Sequence, residues 1–200
     1  MEIQKERTLV VIKPDGIQRS LIGEVIKRIE RTGLKLVALK FSVPKEEKIR
    51  KHYLLEDNWL EKVGQKTIDS YNKKGKIPPS QNAIENGERI LENLINYMTS
   101  GPVVSMVWQG AHAVSIVRKL VGSTEPLSSD VGTIRGDYVI DSYELSDIDG
   151  RSIRNVLHAS SSVEEAKKEV DLWFKSEEII NYRLVQEQIL YDVNLDGILE

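Results

Sequence analysis

The sequence contains no cysteine, which excludes disulfides, cysteine nucleophiles and zinc sites built from thiolates. No apolar run approaches the length needed to cross a membrane. The first seven residues are too polar for a secretory signal peptide, so we expect a cytoplasmic protein that does not attach to membranes. The glycine-rich motif G-x-x-x-x-G-K-S/T is also absent. Any phosphate group would therefore be held by scattered side chains and not by a glycine-rich cradle.

Length and charge indicate one globular domain. The 200 residues suffice for a single domain with a substantial core, and we take residues 1–200 as that domain. Hydrophobic residues make up 40% of the chain, which is ordinary for a globular protein. The 28 basic and 31 acidic side chains leave a formal net charge of −3. This balance predicts no dedicated nucleic-acid surface, so any anion site must be local.

Hydrophobic periodicity predicts an α+β protein in which two β-α-β units follow each other. Strands are predicted at residues 7–12, 34–41 and 103–108, and a fourth within 137–143. Helices are predicted at about 20–33, 44–55 and 111–121. A capping box formed by Ser162 and Glu165 predicts a further helix through Phe174. This order is typical of a ferredoxin-like βαββαβ sandwich.

Two stretches interrupt this pattern. The first, at about 61–90, contains a loop at 75–82 and leads into an amphipathic helix, so we expect a helical insert. The second, at about 142–152, is predicted to lengthen the loop that precedes His158. A tail at about 179–200 follows the last predicted helix.

The most informative segment is Arg-Asn-Val-Leu-His-Ala-Ser at residues 154–160. A large share of imidazole is unprotonated near neutral pH, and a nearby carboxylate can fix which ring nitrogen is free to attack. Glu169 follows His158 by eleven residues, and Gly-Thr-Ile-Arg-Gly-Asp precedes it at 132–137. These neighbours predict a histidine that carries a phosphoryl group.

A second segment has a lysine at the predicted end of a strand, where functional side chains commonly lie. The apolar run at 8–12 ends at Lys13, followed by the turn tripeptide Pro-Asp-Gly. Together, the I-K-P-D-G, G-T-I-R-G-D and N-x-x-H-x-S stretches resemble the nucleoside diphosphate kinases, in which they occur in the same order. The resemblance covers residues 5–60 and 92–178, approximately.

This resemblance implies transfer of the γ-phosphoryl group from a nucleoside triphosphate to a nucleoside diphosphate by a ping-pong route through His158. It implies Mg²⁺ carried by the nucleotide and not by a protein cage, and a homo-oligomer, either a tetramer or a hexamer. Glu169 would hold the second ring nitrogen of the histidine. The nucleotide and phosphate contacts implied are Arg118, Thr124 and Arg135 on the phosphates, Lys13 and Asn155 on the sugar hydroxyl and the phosphate end, Tyr53 lining the pocket, Ser160 beside the histidine, and Trp59 or Leu60 stacking on the base.

The sequence departs from the family at two positions. Ala159 stands where glycine is usual, and it would be strained if that position required a positive φ. Ser161 stands where aspartate is common. We interpret the other two histidines, His52 and His112, as structural or surface residues, since neither has a partner at ligand-like spacing.

Other interpretations remain open at this point. Arg118 could be a solvated charge at the end of a helix, and Glu169 could be an exposed helix residue. A nucleotide-binding regulatory module without turnover would keep the same pocket. Residues 192–200 copy the first nine positions of an EF-hand loop, which would suit a calcium-responsive interaction protein, although the glutamate of the twelfth position is absent.

Overall fold

A four-stranded antiparallel sheet forms the centre of the molecule, with the strands in the order β2-β3-β1-β4. The computed structural model describes residues 2–191, with side chains from residue 4 onward. The strands are β1 (Arg7–Ile12), β2 (Lys35–Ser42), β3 (Val103–Gln109) and β4 (Leu157–Ala159). Helical connections join β1 to β2 and β3 to β4, so the predicted ferredoxin-like sandwich is confirmed.

Helices cover both faces of this sheet. Within residues 2–191, no helix is long and apolar enough to cross a membrane. The helices are α1 (Pro14–Gln18), α2 (Ile22–Glu30), α3 (Glu46–Tyr53), α4 (Trp59–Lys73), α5 (Ala83–Thr99), α6 (Ala113–Val121), α7 (Ile134–Tyr138), α8 (Tyr143–Ile148), α9 (Val163–Trp173) and α10 (Glu187–Leu190).

The alternation of side chains along β1 divides the core into two layers. Leu9 and Val11 point to the face covered by α3, α5 and α9, while Val10 and Ile12 point to the face covered by α2 and α6. All four side chains are fully buried. A strand covered on both faces has a continuous apolar sequence. This explains why β1 was predicted from an uninterrupted apolar run and not from alternating apolar and polar residues.

The fourth strand does not lie within 137–143, and that prediction is wrong. Residues 134–138 form α7, because the Thr133 hydroxyl caps the helix by accepting a hydrogen bond from the Gly136 N–H. The β-branched residue Ile140 lies in no strand and is almost fully exposed. The fourth strand is instead β4, which spans only three residues and contains His158. A strand this short has too few residues for a periodicity signal.

The insert forms a helical hairpin, in which α4 and α5 pack closely through two glycines. A Cβ atom added at Gly64 would lie 1.7 Å from the carbonyl oxygen of Ala83, and one added at Gly87 would lie 2.2 Å from that of Leu60. Any larger side chain would therefore force the two helices apart. The predicted loop at 75–82 is confirmed, since these residues carry no helix or strand.

The second insertion contains the short helix α8, and an ion pair ties it to the histidine segment. The Asp141 carboxylate accepts hydrogen bonds from the Arg151 guanidinium at 2.7 and 3.0 Å and from the backbone N–H of Arg154 at 2.7 Å. The Asn93 side chain on α5 donates to the carbonyl of Gly150 at 3.3 Å. This loop therefore connects the hairpin to the residues that precede His158.

The cap of α9 differs in one partner from the predicted capping box. The Ser162 hydroxyl accepts a hydrogen bond from the Glu165 N–H at 3.1 Å, as predicted. The Glu165 carboxylate, however, accepts from the backbone N–H of Ser161 at 2.6 Å. The cap still fixes where α9 begins, and thereby where Glu169 lies on the helix.

Candidate active site around His158

His158 is the central residue of β4, where it pairs with Val11 of β1. Directly opposed residues on antiparallel strands point to the same face, and Val11 belongs to the layer covered by α3, α5 and α9. His158 therefore faces α3 and α9, while its neighbours Leu157 and Ala159 lie in the opposite core layer. About a fifth of its side chain is exposed, at 18%.

Glu169 on α9 holds one nitrogen of the histidine ring. Its Oε1 lies 2.6 Å from His158 Nε2, and its Oε2 accepts a hydrogen bond from the Ser160 hydroxyl at 2.5 Å. The carboxylate is almost completely buried, so the interpretation of Glu169 as an exposed helix residue is wrong. An ionised carboxylate can only accept, which assigns the ring proton to Nε2. Among the described residues, none forms a hydrogen bond with Nδ1.

The surroundings of His158 keep its ring neutral. Burial lowers the pKa of His158 below its ordinary value, and the cation of Lys13 lowers it further. Burial raises the pKa of the Glu169 carboxyl, whereas His52 and the Ser160 hydrogen bond lower it. A neutral imidazole with its proton on Nε2 presents an unprotonated Nδ1, which is the state required of a nucleophile.

His52 was missed as a site residue in the sequence. It is buried against His158, with ring centroids 4.5 Å apart in an edge-to-face arrangement. Its Nδ1 accepts a hydrogen bond from Trp173 Nε1 at 3.3 Å and lies 3.5 Å from Glu169 Oε1. The spacing of Ile49, His52 and Tyr53, three and four residues apart on one helix face, was a signal that could have identified it.

His52, His158 and Glu169 also form a group of potential metal ligands, with one ligand atom of each within 4.8 Å of the others. One ring nitrogen of each histidine already has a partner in the protein. Nε2 of His158 is bound to Glu169, and Nδ1 of His52 accepts from Trp173. The Glu169–His158 and Trp173–His52 hydrogen bonds therefore hold the two imidazole rings in place.

Lys13 and Asn155 form a pair beside the histidine. The Lys13 ammonium donates to Asn155 Oδ1 at 2.7 Å, and both side chains are buried. Burial lowers the pKa of Lys13 to about 7, with Arg135 contributing in the same direction and Asp15 opposing it. Asn155 Nδ2 donates to the carbonyl of Thr124 at 2.9 Å. The pair therefore offers a cation whose charge depends on what binds next to it.

Arg135 lies beneath the site with its guanidinium turned toward backbone carbonyls. It is 3% exposed, and burial together with the charge of Arg118 lowers its pKa to about 10. Four of its five N–H groups have carbonyl acceptors, leaving one on Nη2 without a protein acceptor among the described residues. The acceptors are Asn155, Gly122, Ser123 and Leu157.

Arg118 and Thr124 lie at the open side of the site. Arg118 is in the last turn of α6 and half-buried, and its side chain forms no hydrogen bond or ion pair with the described part of the chain. Thr124 is exposed in the turn that follows α6. Both are therefore accessible to an anionic ligand, and Arg118 contributes to the lowered pKa of His158.

Tyr53 and Trp59 lie next to each other at the junction of α3 and α4. Their ring centroids are 5.5 Å apart, and both rings are half-buried. The chain reverses between them through Asn58, which has a φ of 61°. Trp59 also packs against the core layer below α5, so its ring serves the hairpin in addition to any ligand.

The alanine that follows His158 is not strained. Ala159 lies in β4, and it is not among the described residues with a positive φ. The family difference at this position therefore carries no backbone cost.

Ser161 is exposed, and its hydroxyl contacts the Glu165 carboxylate. His112 is exposed at the start of α6, whereas the calcium-like segment 192–200 lies outside the described residues.

Comparison with known proteins places these features in one family. A sequence profile described as "Nucleoside diphosphate kinase" matches residues 6–62 and 82–179. The chain is 46% identical over 179 residues to the nucleoside diphosphate kinase of Pyrobaculum aerophilum, covering 88% of this chain and 98% of that protein. It is 39% identical over 188 residues to nucleoside diphosphate kinase B of Rattus norvegicus, covering 94% of this chain and 97% of that protein.

Two solved structures are also similar. One is the NDP kinase from Pyrobaculum aerophilum, with a TM-score of 0.85 at 45% identity, covering 88% of this chain and all of that one. The other is a transition-state mimic of nucleoside-diphosphate kinase from Borrelia burgdorferi with bound vanadate and ADP. Its TM-score is 0.76 at 36% identity, covering 94% of this chain and 97% of that one. The chain belongs to the nucleoside diphosphate kinase family.

Proposed function

We propose that His158 accepts the γ-phosphoryl group of a nucleoside triphosphate at Nδ1 and returns it to a nucleoside diphosphate. The observation that carries this proposal is the 2.6 Å contact between His158 Nε2 and Glu169, because it supports an unprotonated Nδ1 that is free to attack. In the first half-reaction the Nδ1–P bond forms while the bond from the γ-phosphorus to its bridging oxygen breaks. The diphosphate leaves, and a terminal oxygen of the second diphosphate then attacks the phosphorus and displaces Nδ1.

The cations around His158 suit the charge of the transferring group. Lys13, Arg118 and Arg135 all contribute to the lowered pKa of His158, so their positive field reaches the ring. In phosphoryl transfer the protein acts mainly by positioning and by electrostatic stabilisation. In this proposal Arg118, Arg135 and Thr124 bind the phosphates, and Lys13 and Asn155 bind the sugar hydroxyl and the phosphate end.

The remaining residues shape the pocket. Tyr53 lines it, and Ser160 supports Glu169 through the 2.5 Å hydrogen bond to its carboxylate. Trp59 lies beside Tyr53 and would supply an aromatic face for the base. No base-specific donor or acceptor is needed for stacking, so one pocket would serve several nucleotides.

Magnesium would enter this site on the nucleotide. The groups near the transferring phosphate are ammonium, guanidinium, amide and hydroxyl groups, which do not form an anionic cage. The carboxylates of Glu169 and Asp15 are already occupied by protein donors. Mg²⁺ keeps several waters and prefers substrate phosphates to dedicated protein cages, so this donor set fits a nucleotide-borne ion. Bound in that way, the ion would neutralise phosphate charge.

The same proposal extends to the organisation of the protein. Residues 1–200 would form one nucleoside diphosphate kinase domain that assembles as a homo-oligomer, either a tetramer or a hexamer. A cytoplasmic location would give it access to nucleoside tri- and diphosphates and to Mg²⁺. The alternative, a nucleotide-binding regulatory module without turnover, is not favoured, because the relatives are named as kinases and the His158–Glu169 pair is complete.

Intact-mass spectrometry after brief incubation with Mg-ATP tests this proposal. We expect one added phosphoryl group that is acid-labile and alkali-stable, as phosphohistidine is, and that ADP or GDP removes. His158→Ala should abolish the uptake, whereas His112→Ala, at an exposed histidine, should not. Uptake by His158→Ala at the wild-type rate would refute the assignment. Nucleotide binding without uptake by the wild-type protein would indicate the regulatory module.

A further inference from the structure

Val156 has a backbone conformation that β-branched residues rarely adopt. Its φ is 67°, in the left-handed region, and its side chain is fully buried between Asn155 and the strand that contains His158. Such a conformation is unfavourable for valine and persists only where neighbouring groups hold it. Two residues before the proposed nucleophile, it determines how the chain enters β4.

Both backbone groups of Val156 are held by the segment that follows β1. The carbonyl accepts a hydrogen bond from the Lys13 N–H at 2.7 Å. The N–H donates to Oδ2 of Asp15 at 3.1 Å, and Oδ1 of the same carboxylate accepts from the Tyr97 hydroxyl at 2.5 Å. Asp15 therefore connects the strained residue to α5, the helix that carries Tyr97.

The site residues adjoin this connection on both sides. The Asn155 side chain accepts from the Lys13 ammonium at 2.7 Å, and Arg135 donates to the carbonyls of both Asn155 and Leu157. The Lys13 ammonium also lies 5.2 Å from the centroid of the Tyr97 ring. A rotation of the Val156 peptide would therefore change the positions of Asn155 and His158 relative to Lys13.

We propose that Asp15 and Tyr97 are positioning residues that hold the Val156 peptide, and through it Asn155 and His158, in the geometry for phosphoryl transfer. This inference rests on the function proposed above and adds two residues to it. Neither side chain needs to touch the nucleotide. A small misplacement of reacting groups lowers the rate of the chemical step by a large factor. Fixing the Val156 peptide should therefore affect phosphoryl transfer more than nucleotide binding.

Tyr97→Phe tests the proposal, since it keeps the ring over Lys13 and removes only the hydroxyl. We expect the rate of His158 phosphorylation at saturating Mg-ATP to fall roughly tenfold, as for a lost hydrogen bond to a charged group, with the half-saturating ATP concentration nearly unchanged. Amide hydrogen exchange at Val156 should quicken by a similar factor, while exchange in β3 stays at the wild-type rate.

Tyr71→Phe is the matched control. Tyr71 lies on the neighbouring helix α4, and its hydroxyl interacts with the side chains of Asp147 and Arg89. This variant should phosphorylate at the wild-type rate.

A second pair of variants, Asp15→Asn and Asp15→Ala, tests the acceptor of the Val156 N–H. Asp15→Asn keeps this acceptor and should therefore lose less of the phosphorylation rate than Asp15→Ala.

Three results would overturn the inference. In the first, Tyr97→Phe matches wild type in both the phosphorylation rate and amide exchange at Val156. In the second, amide exchange in this variant quickens in β3 as much as at Val156. In the third, the variant changes only the half-saturating ATP concentration. If the wild-type protein takes up no phosphate, the proposed function fails. In that case Val156 exchange in Tyr97→Phe still decides whether Asp15 and Tyr97 hold this peptide.

Discussion

His158 Nε2 lies 2.6 Å from Glu169 Oε1, and Glu169 Oε2 accepts a hydrogen bond from Ser160. One carboxylate oxygen thus orients the His158 ring, and the Ser160 hydrogen bond to the other oxygen holds the carboxylate in place. As Nδ1 forms a bond to phosphorus, positive charge develops on the imidazole, and a buried carboxylate stabilises that charge more strongly than an amide does.

Glu169→Gln should therefore slow phosphorylation of His158 by roughly tenfold or more while leaving nucleotide affinity nearly unchanged. The amide preserves the shape of the side chain and removes its charge. Rapid-quench measurement of the first half-reaction, with nucleotide affinity measured separately, checks this. Glu164→Gln, the same change at an exposed position on α9, is the control and should behave as wild type. A variant that binds nucleotide poorly but phosphorylates normally once saturated would assign Glu169 a different role.

The charge of Lys13 should govern the pH dependence of nucleotide capture. Because its pKa in the free protein is lowered to about 7, Lys13 loses its charge as the pH rises through that value. Bound phosphates favour the ammonium form and raise its pKa in the complex. We expect kcat/KM to fall above about pH 7 while kcat stays nearly constant, because kcat/KM reports the free enzyme. Steady-state kinetics between about pH 6 and pH 9 measure both.

Lys13→Gln is the control for this pH dependence. It should show a lower kcat/KM at neutral pH and should lack the decline above about pH 7, because glutamine does not titrate. If the wild-type decline persists unchanged in Lys13→Gln, another group titrates and the assignment to Lys13 is wrong.

His52 should make the fold sensitive to acid. Burial lowers its pKa to about 3, with His158 adding to the effect, so the unfolded chain binds this proton more readily than the folded one. The contribution of neutral His52 to stability is therefore present above about pH 6.5 and is lost as the pH falls below that value. His52→Gln, which keeps an acceptor for Trp173, should reduce the slope of unfolding free energy against pH by up to about 1.4 kcal/mol per pH unit.

Urea unfolding at several pH values between about pH 4 and pH 7 measures this slope. His112→Gln changes an exposed histidine and should leave the slope as in wild type. Equal slopes for wild type and His52→Gln would mean that His52 is not buried in its neutral form.

Long elements and local motifs could be predicted from the sequence, whereas contacts that depend on docking could not. The apolar runs gave β1 and β3, and the resemblance pointed to His158 and Glu169, which the fold brings into contact. β4 has only three residues, too few to show a periodicity. The β-branched residues within 137–143 were therefore predicted as the fourth strand instead. His52 and Tyr97 reach the site only after α3 and α5 pack on the sheet. Helix spacing puts His52 on one face with Ile49 and Tyr53, but no local pattern shows what that face packs against.

The aromatic pair at the start of the hairpin bears on which nucleotides the enzyme accepts. The ring centroids of Trp59 and Tyr53 are 5.5 Å apart, and Trp59 also packs against the core layer below α5. An aromatic face stacks on any base with similar strength. None of the proposed nucleotide-binding residues is proposed to contact the edge of a base. The wild-type enzyme should therefore show little preference among the bases of its diphosphate acceptors.

Trp59→Ala should raise the Michaelis constants of all nucleotides by a common factor, corresponding to about 1–3 kcal/mol of lost stacking, without selecting one base. It should also lower the melting temperature, because the ring packs against the core. Trp59→Phe keeps an aromatic face and should recover most of both losses. Measuring the melting temperature and four diphosphate acceptors for each variant tests this. A lower melting temperature with unchanged Michaelis constants would restrict Trp59 to packing. A strong preference of the wild-type enzyme for a single base would mean that other residues, such as those of the hairpin, contact the base edge.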